Sequence, residues 1–432
     1  MVRRSFDVLI LGGGTAGCVL AARLSEDPGR TVCLVEAGPD YGPFAHGGWP
    51  EDILDARWLA FSHSWETEVE DRSQLRARIL GGCSSHNACV VLRGDRRDYD
   101  EWGKGWTSAE LEPYLDRAES ELQVRRFERE ELSPWHAAFA EAAGGAAIVH
   151  PVNAVGTVRW NTAFAYLDRA RSRGNLTIAA DTLVDRVLFD SDRAIGAVTS
   201  AGPFHAETVV VSSGAYGSAG ILLRSGLDDL PVGENLIDHV GAGVAWEPTE
   251  RLLRELDAFA ATQPVYMGQV TIRNDDRFLF PALDAGWEVS GAAFAMKPRS
   301  RGRVSLVSPD PRVPLRVEHG FLTDPADAET VVTAVDELRA FAEADAVRPL
   351  VAGELRPGPG VDSASYVREN VRGFFHPVGT CAIGSVVDAR CCVFGRENLH
   401  VADASVMPTI PNANTNLSVV AIAERVGELL AD

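Results

Sequence analysis

Phe6 to Leu11 is a short, mostly apolar run that passes directly into Gly12-Gly-Gly-Thr-Ala-Gly17. So short an apolar run, ended by glycines, reads as a strand buried on both faces of a parallel sheet. Ala16 to Leu24 then carries helical spacing, and Thr31 to Val35 forms a second apolar run closed by Glu36. Strand, glycine turn, helix, strand and terminal acid together make a dinucleotide-binding βαβ unit. Its glycines let the backbone approach a pyrophosphate, whose charge then rests on the N-terminus of a helix. The candidate contacts are Gly12, Gly14, Thr15, Ala16, Gly17, Glu36 and Ala37. Glu36 is placed to hold ribose hydroxyls, and a carboxylate there argues against a 2′-phosphate. NAD and FAD both remain compatible with this unit alone.

A chain of 432 residues has room for two or three domains. A second parallel-type strand, Glu207 to Val211, leads through Ser212-Ser-Gly-Ala-Tyr216 to a helix around Ser218 to Leu223, so the nucleotide domain is discontinuous. From Pro264 onward the pattern changes: Gln263 to Arg273, Trp287 to Pro298, Gly302 to Val307 and Val313 to His319 alternate apolar and polar residues. They are expected to be antiparallel strands with one covered face. Asp324 to Glu343 reads as a capped amphipathic helix or helix pair, Leu399 to Val401 as a short strand and Leu417 to Leu430 as a helix. The expected fold is α/β, a Rossmann-type domain interrupted by an antiparallel sheet with helices. The expected segments are 1–150, 151–240 and 376–432 for the nucleotide domain and 241–375 for the substrate domain.

The net charge of −20 opposes binding to nucleic acid or an anionic membrane. No apolar segment approaches the ~20 residues that span a bilayer, and Met1-Val-Arg-Arg precedes a strand rather than a secretory core. Seven cysteines without metal-ligand spacing fit reduced thiols, so a cytoplasmic protein without a bound metal is expected. Oligomer formation is left open.

The chemistry is narrowed by Ala77-Arg-Ile-Leu-Gly-Gly-Cys-Ser-Ser-His-Asn87, by His376-Pro-Val-Gly-Thr-Cys381 and by Asn414. An imidazole with an ordinary pKa of ~6.5 is suited to accept a hydroxyl proton, and an amide can orient a substrate oxygen. Gly81, Gly82, Ser84, Asn87, Arg93 and Gly94, followed by Asp98-Tyr-Asp-Glu-Trp102, match one family pattern. The three elements together resemble the glucose-methanol-choline (GMC) family of flavoenzymes.

That resemblance implies FAD rather than NAD, with Arg78, Gly81, Gly82, Ser85, His86, Asn87 and Ala88 along the pyrophosphate and flavin. It further implies adenine contact through the backbone at Val184, and cofactor contacts at Asp403, Ala404, Asn414 and Thr415. Cys83 and His86 depart from the commonest family form and are shared with its choline oxidase branch, where the histidine is bonded covalently to FAD. His86 is thus either a covalent anchor or a hydrogen-bonding neighbour of the flavin. Asn235 and His239 read as structural loop residues. The implied reaction is oxidation of a CH–OH group in an alcohol, sugar or polyol, with His376 as base, Asn414 as its partner, and dioxygen or another electron acceptor. A family lyase that keeps FAD without net redox, of the hydroxynitrile lyase kind, is the competing reading. Between Asp238 and Ser300 the chain is shorter than is typical of the family, in the region that builds the substrate-cavity wall.

Overall fold

A computed structural model describes residues 5–65 and 75–431. Two seven-stranded sheets organise it. In the first, Ser5–Leu11 lies between Val32–Val35 and Gly202–Val211, parallel to both, and Leu176–Ala179 extends the parallel run beyond Val32–Val35. Gly202–Val211 is long enough to serve two neighbours. Its first half pairs antiparallel with Arg193–Thr199, which pairs in turn with Val184–Asp190, and its last residues pair parallel with Leu399–Val401. The central strand is buried from Val8 to Leu11, as its apolar run requires.

The helix Thr15–Leu24 is apolar nearly all round because it is covered on both sides, by this sheet and by the C-terminal helix Thr415–Leu429. Glu424, fully buried on the latter, accepts both Nε and Nη2 of Arg23 at 2.8 Å and the Tyr166 hydroxyl at 2.9 Å. A fork-to-fork pair of this kind fixes register between helices.

The second sheet is antiparallel, in the order Val351–Arg356, Val240–Pro248, Val289–Ala295, Arg277–Leu283, Val270–Asn274 and Ala147–Val149, with Arg372–Gly373 also against Val240–Pro248. One face packs under the helices Pro134–Ala143, Glu250–Ala260 and Pro325–Phe341 around Trp135, Trp246 and Leu338. Pro325–Phe341 starts as its sequence predicts, with proline in the first turn and the Asp324 carboxylate accepting the Ala326 N–H at 2.9 Å.

Three expectations change. Pro134–Ala143 and Ala147–Val149, expected within the nucleotide domain, pack with the second sheet instead. Arg303–Ser305 and Arg316–Glu318 pair only with each other, and Val304, Leu315 and Val317 pack on the nucleotide-domain core instead of joining the substrate sheet. Alternation shows that one face is covered but not by what. The long strand expected from Gln263 is confined to Val270–Asn274. The segment Met1-Val-Arg-Arg lies outside the described residues.

Candidate active site

The first strand and Gly202–Val211 both end, at Leu11 and Val211, on one cavity of about 550 Å³. Neighbouring parallel strands whose crossovers leave in opposite directions open a crevice at their carboxyl ends. Gly12 turns the chain here at φ +111, and a side chain on Gly17 would enter the Gly12 carbonyl oxygen. Gly82, at φ +54, brings the second glycine loop so near that a Cβ on it would sit 2.6 Å from Gly14 Cα. Backbone thus meets backbone where a pyrophosphate needs to approach both.

Three helices begin on the cavity, at Thr15, Gly214 and Thr415. None has an acidic residue in its first turn, and none of their N-caps, Gly14, Ser213 and Asn414, makes a side-chain capping bond. Their positive dipole ends are therefore uncompensated by side-chain charge and favour anionic groups. The Gly214 N–H is the exception, taken by Asp403 Oδ2 at 2.9 Å.

Glu36 is buried, and its two carboxylate oxygens each accept one backbone N–H at 2.8 Å, from Gly13 and Gly38. Burial nevertheless outweighs these bonds and pushes its pKa up to about 7. Asp403 is likewise committed to the protein: Ser218 donates to it at 2.5 Å and the Ser405 N–H at 2.7 Å. It fixes the start of the Gly214 helix on the cavity rim.

The lining brings together Gly12, Gly14, Thr15, Ala16, Glu36, Ala37, Gly82, His86, Asn87, Ala88, Val184, His376, Asp403, Ala404, Asn414 and Thr415. Four expected contacts stand behind it. Gly17 packs on Gly12; Gly81 donates its N–H to Gly13 O at 2.8 Å; Ser85 donates to Leu80 O at 3.2 Å; Arg78 donates to Ala37 O at 3.1 Å. These residues brace the two glycine loops. Sequence reasoning did not place Ser212 and Ser213 in the site, nor the apolar wall of Met267, Phe280, Phe374 and Phe375. The serines carried a usable signal, since they close the strand adjacent to the first. The wall carried none, because its aromatics read as ordinary core.

His86 is buried, and burial lowers its pKa to about 4. Its Nε2 lies 2.6 Å from the Ser62 carbonyl, which can only accept, so the ring proton is on Nε2. Nδ1 keeps a lone pair and has no hydrogen-bond partner among the described residues. Half-buried His376, also on the cavity lining, points Nε2 at Asn414 Nδ2, 3.4 Å away. Burial, followed by the neighbouring His239, holds the His376 pKa well below 6.5, so the ring is neutral. Its backbone is set by Asp238, whose Oδ1 accepts the N–H groups of Phe374 at 3.3 Å and His376 at 3.0 Å across Phe375, itself left-handed at φ +61.

A cleft with open helix N-termini, a two-loop glycine cradle and a neutral imidazole at one end fits a flavin dinucleotide. The comparisons agree. Residues 6–241 match the N-terminal model and residues 298–423 the C-terminal model of GMC oxidoreductase. The chain belongs to the GMC oxidoreductase family, and it is an FAD-dependent enzyme that oxidises alcohols. Alcohol dehydrogenase [acceptor] from Pseudomonas putida is 29% identical over 98% of this chain and 95% of that protein. Choline oxidase from Arthrobacter globiformis is 30% identical over 99% of this chain and 94% of its own length. Among solved structures, pyridoxine 4-oxidase from Mesorbium loti superposes with a TM-score of 0.83 at 25% identity, over 98% of each chain. These relatives are oxidases and dehydrogenases, which sets aside the lyase reading. The choline oxidase alignment runs over 526 positions against 432 residues here, so this chain lacks segments that the relative has. No helix among the described residues is long and apolar enough to cross a membrane.

Proposed function

We propose that His376 is the base that takes the substrate's hydroxyl proton and that Asn414 orients the substrate oxygen. The observation that carries this is the 3.4 Å approach of His376 Nε2 to Asn414 Nδ2 on the wall of the dinucleotide cavity. When bound, FAD supplies the hydride acceptor. The chain's own part is to bind the alcohol against Phe280, Phe374 and Phe375, to keep His376 neutral and to hold the oxygen within reach of both polar groups.

Gly12, Gly14, Thr15, Ala16, Glu36, Ala37, Gly82, Asn87, Ala88, Val184, Ala404 and Thr415 hold the cofactor, while Gly17, Arg78, Gly81, Ser85 and Asp403 keep those residues in place. His86 is the site of covalent attachment: a neutral imidazole with an unpartnered nitrogen on the cofactor-cavity wall is a competent nucleophile. Retention of flavin absorbance on acid-precipitated protein, and its loss in His86→Asn, tests the link.

The substrate is an alcohol, sugar or polyol, and the phenylalanine wall favours a carbinol bearing an apolar group. The carboxylates on the cavity lining, Glu36 and Asp403, are both committed to the protein, so neither serves as counter-ion to a trimethylammonium group. None of the seven cysteines is in a disulfide, which supports a reducing, cytoplasmic setting. Anaerobic addition of a panel of alcohols, sugars and polyols to the purified protein tests the reading. One class should bleach the flavin band, and air should then restore it if dioxygen is the acceptor. His376→Ala should keep the flavin and lose the bleaching; unimpaired bleaching would remove His376 from the reaction.

A further inference from the structure

His239 follows Asp238 at the head of the strand Val240–Pro248 and is fully buried. Its Nε2 lies 3.0 Å from the Pro411 carbonyl, and its Nδ1 lies 2.9 Å from Nδ1 of His376, with the rings 88° apart. A carbonyl oxygen only accepts, so the proton of His239 resides on Nε2. Burial drives the His239 pKa down to about 3, which leaves Nδ1 with a lone pair. Two imidazole nitrogens at 2.9 Å need one proton between them, and that proton can only be the one on Nδ1 of His376. His376 is itself neutral, so its remaining nitrogen, Nε2, bears the lone pair on the side facing Asn414.

We propose that His239 is a positioning residue that sets the tautomer of His376, so that the base always presents an acceptor nitrogen to the substrate hydroxyl. The proposal rests on His376 being the base. A free imidazole slightly prefers its proton on Nε2, and in that form His376 would offer the hydroxyl an N–H and could not accept its proton. During turnover the hydroxyl proton passes to Nε2, the Nδ1 proton stays on His376 and in its hydrogen bond to His239, and the His376 imidazolium later releases one proton to solvent.

The carbonyl that starts the chain is itself anchored. Lys297 donates to the Ile410 carbonyl and to Asp98 Oδ1, both at 2.9 Å, while Asp98 Oδ2 accepts the Asn412 N–H at 2.7 Å. The Pro411 carbonyl is held between these two fixed points. Asp238 and His239 thus divide the work, one fixing the backbone of His376 and the other its ring. Asp238, His239 and His376 offer ligand atoms within 4.8 Å of one another, a spacing that could also suit a cation, but two of those atoms already share a proton.

Nitrogen NMR of the holoenzyme with labelled histidine, assigned through His376→Ala, reads the tautomer directly. His376 should show a protonated Nδ1 and an unprotonated Nε2; the reverse overturns the proposal. Anaerobic stopped-flow reduction then compares His239→Asn, whose side-chain oxygen can accept in place of Nδ1, with His239→Ala, which cannot. His239→Ala should reduce its flavin at least about ten-fold more slowly than His239→Asn. Equal rates, with the flavin band intact in both, overturn the proposal. If His239→Ala fails to hold flavin, the wild-type tautomer decides the matter. A His376→Ala variant that reduces normally would instead remove the base assignment itself.

Discussion

Asn414 stands at the N-cap of the C-terminal helix, yet its side chain accepts no backbone N–H there. A working cap lost to alanine costs about 0.5–2 kcal/mol. Asn414→Ala forfeits no such bond, so the folded state should lose only a few tenths of a kcal/mol, on the order of an exposed substitution. Catalysis should suffer much more. A hydrogen bond to a group that gains charge in the reaction contributes about 1.5–3 kcal/mol, which is roughly ten- to 150-fold in rate. Anaerobic stopped-flow reduction at saturating alcohol, set beside a thermal melt, measures both quantities on one sample. A large melting shift with an unchanged reduction rate would make Asn414 a structural cap and refute the reasoning. Asn414→Asp adds a sign. A carboxylate in the place of an amide 3.4 Å from His376 Nε2 raises the imidazole pKa, so the neutral, active base exists only at higher pH. The limb of the rate profile should move upward.

In the unmodified protein, burial holds His376 well below 6.5, so flavin reduction should stay flat as pH falls from about 8 to about 6; a fall centred near 6.5 would contradict the neutral, desolvated base. Gly82→Ala sets a Cβ 2.6 Å from Gly14 Cα at φ +54 and should yield protein with little bound flavin, read from the absorbance ratio of flavin to protein. Glu424→Ala removes the buried fork partner of Arg23, which keeps Glu26 and Glu121, and should lower stability by about 1.5–3 kcal/mol, seen as a reduced urea midpoint; an unmoved midpoint would mean the pair is incidental.

The nucleotide half of the molecule was legible because its signals are local. Apolar runs of fixed length, glycines at set spacing and a terminal acid all lie within Phe6 to Glu36, and the observed elements fall within a residue of those read there. The antiparallel half was less so. Val240–Pro248 contains Gly241 and Gly243, Arg277–Leu283 contains Pro281, and both resemble loops until the neighbouring strands are in place. Gly241 is needed because a Cβ there would enter the Ala293 carbonyl of the next strand, a contact no local pattern records. Val351–Arg356 went unread for a similar reason, being a largely exposed edge. His239 was read as structural and meets His376, the proposed base, by a ring contact across 137 residues of sequence. Site residues of the first glycine loop were named from spacing and those of the second from the family resemblance, whereas Met267, Phe280 and Phe374 reach the cavity wall only through the tertiary fold.

The pairing of Leu399–Val401 with Gly202–Val211, and of Glu424 with Arg23, has a consequence for how the chain is made. A ribosome delivers the phosphate-binding turn long before its covering helix, so the βαβ unit emerges with one apolar flank of Thr15–Leu24 bare. Closure of contacts this distant is slow and leaves the nascent chain sticky in the interval. Asn414 and Thr415, the proposed cofactor contacts, arrive with that helix, so flavin capture through them would coincide with completion of the nucleotide domain. Truncation of even the last helix should therefore leave an aggregating chain that has never held its cofactor, rather than a weakened enzyme.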